Sequence, residues 1–286
     1  MKAAPFQYAR PASIAEACAA LAERGAEAKL IAGGQSLVPM MAMRLARPGW
    51  LIDIGRIPEL QRIEVGHDFV SIGAGVKQHT VERSAALRQH LPLLMQALAW
   101  VGHPQTRNRG TVGGSIVHAD PAAEIPLVAC VLDAVLELRD AAGTTDMPAR
   151  EFFLAPMVTA ITPEQCLVAV RFPVWDGPRV GSAFEEVSIR HGDFALASAC
   201  AQIALDDGGR VRRAALGIGG AAPVPQALPQ VAELLLGRTP NEALLDKVAR
   251  TAAEALEPEG DLHAPAEYRR ELARVLTRRT LEAALK

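Results

Sequence analysis

The sequence predicts an α+β protein built from two unlike parts. Up to residue 175, short apolar runs typical of strands alternate with amphipathic and fully apolar helices. After residue 179, three strand-like segments follow one another with short turns, and three helices close the chain. A segment rich in proline and glycine, 173–178, separates the two parts. With 286 residues, the chain is long enough for about two domains.

The N-terminal 56 residues predict a compact unit in which a helix joins two parallel strands. Ser13 and Glu16 have the spacing of a capping box, which starts the first helix. The elements predicted in this unit are a helix ending at Gly25, a strand over 29–32, a turn at Gly33 and Gly34, a helix capped by Ser36, and a strand over 50–54.

Residues 57–175 predict a second unit of strands and buried helices. A hairpin turns at residues 66–68, because alternating strand patterns flank a glycine there. The elements predicted in this unit are strands over 63–65, 69–73, 135–138 and 165–172, and helices over 80–86, 91–101 and 126–131. Residues 148–153 are a short connection.

Residues 179–286 predict a third unit, an antiparallel meander followed by helices. Its predicted strands cover 181–189, 194–205 and 210–218, and its helices cover 229–236, 241–255 and 267–285. The last helix carries five arginines, namely Arg269, Arg270, Arg274, Arg278 and Arg279. A solvated helix face is the expected role of these arginines, and a docking face for a partner is the alternative.

Composition excludes several classes of function. A net charge of −2 and an aromatic content of 4% argue against nucleic-acid binding. The four cysteines are widely spaced in apolar runs and form no C-x-x-C pair, which predicts buried free thiols and neither an iron–sulfur cluster nor zinc in this chain: Cys18, Cys130, Cys166 and Cys200. The sequence has no apolar signal core and no run of about 18 apolar residues. We therefore expect a soluble cytoplasmic protein without a metal site.

Two glycine-rich segments are the strongest candidates for a functional site. The first contains Gly33 and Gly34, and the second, residues 105–121, combines three glycines with small hydroxyl residues and two arginines. Glycine lets a backbone approach a ligand closely, and backbone N–H groups ahead of a helix bind phosphate. Hydroxyls of Thr111 and Ser115 add donors, and Arg107 and Arg109 add positive charge or pair with carboxylates. The two segments predict a phosphate-containing cofactor, although each alone is also typical of a structural turn.

Other polar motifs predict no catalytic residue. His118 and Asp120 have the composition of an acid–base pair, but no nucleophile accompanies them. We expect local hydrogen bonding for His118 and helix capping for Asp120. The glycines over 217–220 lack dinucleotide-loop spacing and precede prolines, so they are interpreted as the end of a strand.

Several motifs together resemble one protein family. They are residues 32–41 (AGGQSLVPMM), 107–115 (RNRGTVGGS) with 119–121 (ADP), 190–195 (RHGDFA), and 268–270 with 275–279 near the C-terminus. In this order they resemble the FAD-binding medium subunit of the molybdenum hydroxylases, the group of carbon monoxide dehydrogenase and xanthine dehydrogenase. The resemblance extends over essentially the whole chain.

The resemblance implies a fold and a set of cofactor-binding residues. FAD would lie between two subdomains, 1–56 and 57–175, of the vanillyl-alcohol oxidase type, followed by the C-terminal domain over 179–286. The implied contacts are Leu30, Ile31, Ala32, Gly33, Gly34, Gln35, Ser36, Leu37, Val101, Thr106, Gly110, Thr111, Gly113, Gly114, Ser115, Ala119, Glu124, Leu167 and Phe194. Gln35 replaces a histidine frequent in the family. Glu185 stands where some relatives have a lysine, so no role is carried over to Glu185.

The function implied by the resemblance is electron transfer through FAD. A large partner subunit with the molybdenum cofactor would oxidise the substrate, and a small partner with two 2Fe–2S clusters would pass the electrons on. The chain's FAD would deliver them to an external acceptor, within a dimer of heterotrimers. The rivals are a self-sufficient FAD-dependent oxidoreductase acting on a small molecule, and a flavin-free scaffold subunit.

Overall fold

The computed structural model describes residues 2–177 and 179–286. Pro178, the last residue of the predicted linker, lies outside the described residues. The strands are β1 (Gln7–Ala9), β2 (Ala28–Ile31), β3 (Trp50–Asp53), β4 (Ile63–Val65), β5 (Phe69–Gly73), β6 (Val135–Arg139), β7 (Thr144–Pro148), β8 (Phe153–Ala155), β9 (Val158–Thr159), β10 (Cys166–Pro173), β11 (Val180–Ser188), β12 (Ala195–Leu205), β13 (Val211–Gly219) and β14 (Gln226–Ala227).

The helices are short in the first part of the chain and longer near the C-terminus. They are α1 (Ile14–Arg24), α2 (Leu37–Ala42), α3 (Gln78–Arg83), α4 (Ala85–His90), α5 (Pro92–Leu98), α6 (Pro104–Arg109), α7 (Val112–His118), α8 (Glu124–Val131), α9 (Ala149–Phe152), α10 (Pro229–Ala232), α11 (Glu242–Glu254) and α12 (Ala266–Ala284). Three 3-10 turns cover Gly25–Glu27, Pro58–Gln61 and Glu233–Leu235.

The N-terminal sheet is fully parallel, in the order β1-β3-β2. The predicted parallel pairing of β2 and β3 is therefore confirmed, and β1 adds an edge strand too short for its pattern to reveal. Helix α1 begins as predicted, because Ser13 Oγ accepts a hydrogen bond from the N–H of Glu16 at 3.2 Å. Ser36 occupies the N-cap of α2 but makes no side-chain capping bond, so that part of the prediction is wrong.

The second sheet is antiparallel along its length, in the order β4-β5-β10-β6-β7. The predicted hairpin is confirmed as β4 and β5. The helix predicted over 80–86 is instead divided, because Ser84 ends α3 and caps α4 by accepting from the N–H of Leu87. Strand β7 was not predicted, since its sequence is polar and mostly exposed.

The predicted meander is confirmed in the third sheet, whose order is β11-β12-β13-β14 with antiparallel pairing throughout. Strand β12 is buried over ten of its eleven residues, because α12 covers one face and α5 and α8 lie against the other. Phe184 and Cys200 belong to the core of the first part of the chain. The C-terminal sheet thus packs directly on the N-terminal part.

The four cysteines are free and buried, as the sequence predicts. Burial raises the pKa of the Cys130 and Cys166 thiols to about 12. These thiols are therefore uncharged and unreactive at neutral pH. Within the described ranges, no helix is both long enough and apolar enough to cross a membrane.

Replacing Gly217 with valine is expected to destabilise the chain by about 1–3 kcal/mol. A β-carbon on Gly217, in β13, would overlap the side chain of Val131 on α8 and lie 2.8 Å from the carbonyl oxygen of Gln226. Urea unfolding of the purified chain measures the effect. Gly49→Val is the matched control, since the nearest atom to its β-carbon is 3.7 Å away. Equal stability of the two variants would contradict this account of the packing between the two parts.

Candidate functional site

A cavity of about 1400 Å³ lies where the three sheets come together. Its walls come from the turn after β2, the start of α7, the start of α8, and loops of the C-terminal part. Small-molecule pockets usually measure roughly 300–1,000 Å³. This cavity is therefore large enough for a ligand longer than an ordinary metabolite.

The first glycine segment forms one wall through close backbone contact. A β-carbon on Gly33 would overlap the carbonyl oxygen of Arg109, so the first segment touches the residue that ends α6. Gly34 has a φ of +70°, a conformation that other residues rarely adopt. Within the described part of the chain, the Ser36 hydroxyl makes no capping hydrogen bond at the start of α2. The segment therefore presents backbone and a hydroxyl to the cavity without bulk.

The second glycine segment is helical, which corrects the expected loop. Thr111 caps α7, and its Oγ1 accepts a hydrogen bond from the N–H of Gly114 at 3.0 Å. The N–H groups of the two residues before Gly114 also have partners. Val112 donates to the carbonyl oxygen of Val76, and Gly113 donates to that of Ala74. Backbone amides of this turn are thus already satisfied.

The donors that this turn can still offer are hydroxyls. Thr111 accepts through its oxygen, so its own proton can point into the cavity, and Ser115 lines the same wall. Gly114 is exposed toward the cavity, whereas Gly113 packs tightly against Ala74. The two glycines therefore differ in role: Gly114 leaves room for a ligand and Gly113 lets α7 approach the end of β5.

The two arginines of the second segment lie outside the cavity wall. Arg107 is buried, forms an ion pair with Glu82 at 3.2 Å, and donates to the carbonyl oxygens of Val101 and Gly102. Neither Arg107 nor Arg109 is among the described residues that line the cavity. Of the two expectations for these residues, pairing with a carboxylate is the one that Arg107 fulfils.

The cavity brings together every predicted contact residue except Ala119. Ala119 ends α7 in the left-handed conformation, is 2% exposed, and accepts a hydrogen bond from the N–H of Met157 through its carbonyl oxygen. Ala119 therefore lies behind the cavity wall.

Asp120 lines the cavity, but its carboxylate accepts a hydrogen bond from the N–H of Ala122 in a turn before α8. The N-cap of α8 is Ala123. The predicted helix cap at Asp120 is therefore wrong.

A further residue of the cavity wall, not predicted from the sequence, is Gln78 at the start of α3. Its side chain is 5% exposed and lines the cavity, and its amide oxygen has no hydrogen-bond partner in the described part of the chain. A buried polar atom without a partner is costly, so this oxygen indicates a ligand that donates to it. No sequence motif marks Gln78.

The C-terminal part closes the cavity through Arg269, which was expected on a solvated helix face. Arg269 is 7% exposed. Its Nη1 donates to the carbonyl oxygens of Leu196 at 2.7 Å and Gly220 at 2.9 Å, and its Nη2 pairs with Asp261 at 2.7 Å. The bonds tie α12 to strand ends beside the cavity. The other four arginines of α12 are exposed or half-buried.

An aromatic side chain stands at the cavity entrance. Phe194 is 75% exposed and lines the cavity, on the loop between β11 and β12. His191 of the same loop stacks on Trp100, with ring centroids 5.7 Å apart. Leu167, at an irregularity of β10, is 3% exposed and lines the wall. A planar ligand reaching the entrance would therefore have Phe194 within reach.

Two buried carboxyls lie near each other, and one of them lines the cavity. Glu124, in the first turn of α8, lines it and is 9% exposed, and burial raises the pKa of this carboxyl to about 7. Glu186, on β11, is 6% exposed, and burial together with the neighbouring Glu124 raises the pKa of Glu186 to about 8. Both groups are therefore protonated for a substantial fraction of the time near neutral pH.

Comparison with known proteins identifies the family. A family model described as the FAD-binding domain in molybdopterin dehydrogenase matches residues 4–175, and one described as the CO dehydrogenase flavoprotein C-terminal domain matches residues 182–284.

Similar proteins match over nearly the full chain. The 6-hydroxypseudooxynicotine dehydrogenase complex subunit alpha of Paenarthrobacter nicotinovorans is 37% identical, over 100% of this chain and 96% of the relative. The carbon monoxide dehydrogenase medium chain of Hydrogenophaga pseudoflava is 35% identical, over 98% and 96%. A solved structure of carbon monoxide dehydrogenase from that organism, lacking the Mo-pyranopterin moiety of its cofactor, superposes with a TM-score of 0.96 at 34% identity, covering 99% of this chain and 98% of that one.

The chain belongs to the family of FAD-binding medium subunits of molybdenum hydroxylases. The residues present fit FAD. Gly114 is exposed toward the cavity and leaves space for an approaching diphosphate, and the amide oxygen of Gln78 has no hydrogen-bond donor among the described residues. The cavity volume exceeds that of an ordinary small-molecule site.

Raising the pH from 6 to 8 is expected to destabilise the flavin-free chain. The folded state raises the pKa of Glu124 and Glu186 above the roughly 4.3 of an unfolded glutamate, so it binds more protons than the unfolded state. The free energy of unfolding is therefore higher at low pH, and it decreases as the pH rises toward the pKa values of these carboxyls in the folded state. In the Glu186→Gln variant, the side chain at position 186 is neutral at every pH. The decrease in the free energy of unfolding between pH 6 and pH 8 should therefore be smaller than in the wild type by about 2 kcal/mol.

Denaturant unfolding at pH 6 and at pH 8 checks this expectation. Glu185→Gln is the control, because Glu185 lies on the opposite face of β11, 3.9 Å from Arg279. It should follow the wild-type chain at both pH values. If Glu186→Gln also follows the wild type, the carboxyl of Glu186 is ionised in the folded state and this account is wrong.

Proposed function

We propose that this chain is the FAD-carrying electron-transfer subunit of a multi-subunit molybdenum hydroxylase. The observation that carries the proposal is the large cavity between two glycine segments, in a chain that matches family members from end to end. FAD supplies reversible electron storage when it is bound there. The residues proposed to contact it are the predicted ones that line the cavity, together with Gln78; Ala119 would act only through the end of α7.

The side chains of this subunit would bind and orient the cofactor. Hydroxyls of Ser36, Thr111 and Ser115 offer hydrogen bonds to the phosphates, and Gly114 permits their approach. Phe194 would cover one side of the ring system at the entrance. No nucleophile or general base with a reacting partner is needed, because the chemistry on the substrate belongs to another subunit.

The proposed partners are a large subunit with the molybdenum cofactor and a small subunit with two 2Fe–2S clusters. The similarity to a subunit of a dehydrogenase complex and to the medium chain of carbon monoxide dehydrogenase supports this assignment. We further propose that the complex is a dimer of heterotrimers and that it is located in the cytoplasm. The four free buried thiols favour this reducing compartment. The acceptor of the electrons is proposed to be other than NAD, since no nicotinamide loop is recognisable in the sequence.

Replacing Gly114 with leucine is expected to abolish retention of FAD. The new side chain would enter the cavity where the diphosphate approaches, and its β-carbon would lie 2.7 Å from Thr111 Oγ1. The measurement is the ratio of flavin absorbance to protein absorbance in the purified variant, with circular dichroism to show that it folds. We expect at least a tenfold loss of bound flavin.

Gly49→Leu is the matched control for this experiment, since Gly49 is exposed and lies outside the cavity wall. It should purify with as much FAD as the wild type. A folded Gly114→Leu variant with a full complement of FAD would contradict the proposed placement of the phosphates. A wild-type chain that binds no FAD would favour the scaffold alternative.

A further inference from the structure

Glu186 has no part in the proposed binding of FAD, yet it is a buried carboxyl without a partner. It is 6% exposed, and neither carboxylate oxygen has a hydrogen-bond partner in the residues that the structure describes. Burying an unpaired carboxyl costs folding free energy, and a hydrophobic side chain of similar size would avoid that cost. Packing alone therefore does not explain a glutamate at this position.

The sheet register places Glu186 on the face that meets the start of α8. Glu186 pairs in register with Ser198 on β12, and directly opposite residues share a face of the sheet. Ser198 in turn pairs with Gly219. A β-carbon on Gly219 would lie 2.7 Å from Ser198 Oγ, 3.2 Å from Leu127 Cδ2 and 3.6 Å from the carbonyl oxygen of Pro121. This face of the sheet therefore meets the turn that carries Glu124.

Few other charges act on these two carboxyls. Asp120 raises the pKa of Glu124 and Arg107 lowers it, but the guanidinium of Arg107 is already committed to Glu82. The adjoining elements α5 and β12 contain no charged residue, and α8 contributes only Glu124. Helix α7, which packs on α8, contributes His118, which lines the cavity. Burial is the largest cause of the raised pKa of both groups. The two carboxyls therefore hold between one and two protons near neutral pH.

We propose that Glu124 and Glu186 form a redox-linked proton-binding pair, which takes up as much as one proton when FAD in the cavity accepts two electrons. The inference rests on the proposed function. Electrons that arrive through iron–sulfur clusters bring no protons with them. Negative charge added in the cavity that Glu124 lines disfavours a carboxylate, so the pair binds a proton from solvent through the cavity, forming one O–H bond. When the electrons leave, that O–H bond breaks and the proton returns to solvent.

The pH dependence of the midpoint potential of bound FAD tests the pair. One pH unit is a tenfold change in proton concentration, and for a two-electron couple a tenfold change corresponds to about 30 mV. Each extra proton bound on reduction therefore steepens the pH dependence of the midpoint potential by about 30 mV per pH unit. Spectroelectrochemical titrations of the FAD-loaded full chain over about pH 6.5–8.5 should show a slope in Glu186→Gln shallower than wild type by up to that amount. Glu185→Gln should keep the wild-type slope.

Equal slopes in Glu186→Gln and wild type would overturn the inference while leaving the proposed function intact. A wild-type chain that fails to bind FAD would overturn both. A second measurement, on the wild-type chain alone, tests the inference if the Glu186→Gln variant does not fold. The reduced-minus-oxidised infrared difference spectrum of the wild-type chain should gain a carboxylic-acid carbonyl band at neutral pH. Absence of that band would also overturn the inference.

Discussion

The structure depends on one close approach of two backbones, that of Gly33 to the carbonyl oxygen of Arg109. A side chain at position 33 would separate the N-terminal parallel sheet from the helices that precede and include α7. Because no β-carbon intervenes, the turn after β2 and the start of α7 form adjoining walls of one cavity. A ligand with a diphosphate can then lie across both segments, which neither segment alone would hold.

Helix α8 connects this cavity to the C-terminal part. Its first turn places Glu124 in the cavity wall, and its later residues Leu127 and Val131 pack on glycines of β13. Within the C-terminal part, Arg269 ties α12 to the ends of strands near Phe194. The contacts of α8 thus fix the C-terminal sheet to the cofactor-binding part. Such fixing suits an electron-transfer protein, which must keep its cofactor in one position relative to its partners.

Local sequence patterns predicted the sheets, whereas the surroundings of several side chains could not be predicted from such patterns. Strand patterns and glycine turns are local, so the parallel unit, the hairpin and the meander were all recognisable. The environment of Arg107 and Arg269 depends on residues far along the chain, such as Glu82 and Leu196, and no local pattern reveals them. The three glycines over 110–114 suggested a loop, but the Thr111 cap and donations to Ala74 and Val76 stabilise a helix there. Gln78 and Glu186 are functional candidates only because of what surrounds them.

The most direct test of the central claim is an absorbance spectrum of the purified wild-type chain, followed by acid release and identification of the chromophore. The account predicts an oxidised-flavin spectrum with about one FAD released per chain, since a single cavity carries both glycine segments. A colourless chain that also fails to bind added FAD would contradict the account, because the cavity would then serve another purpose.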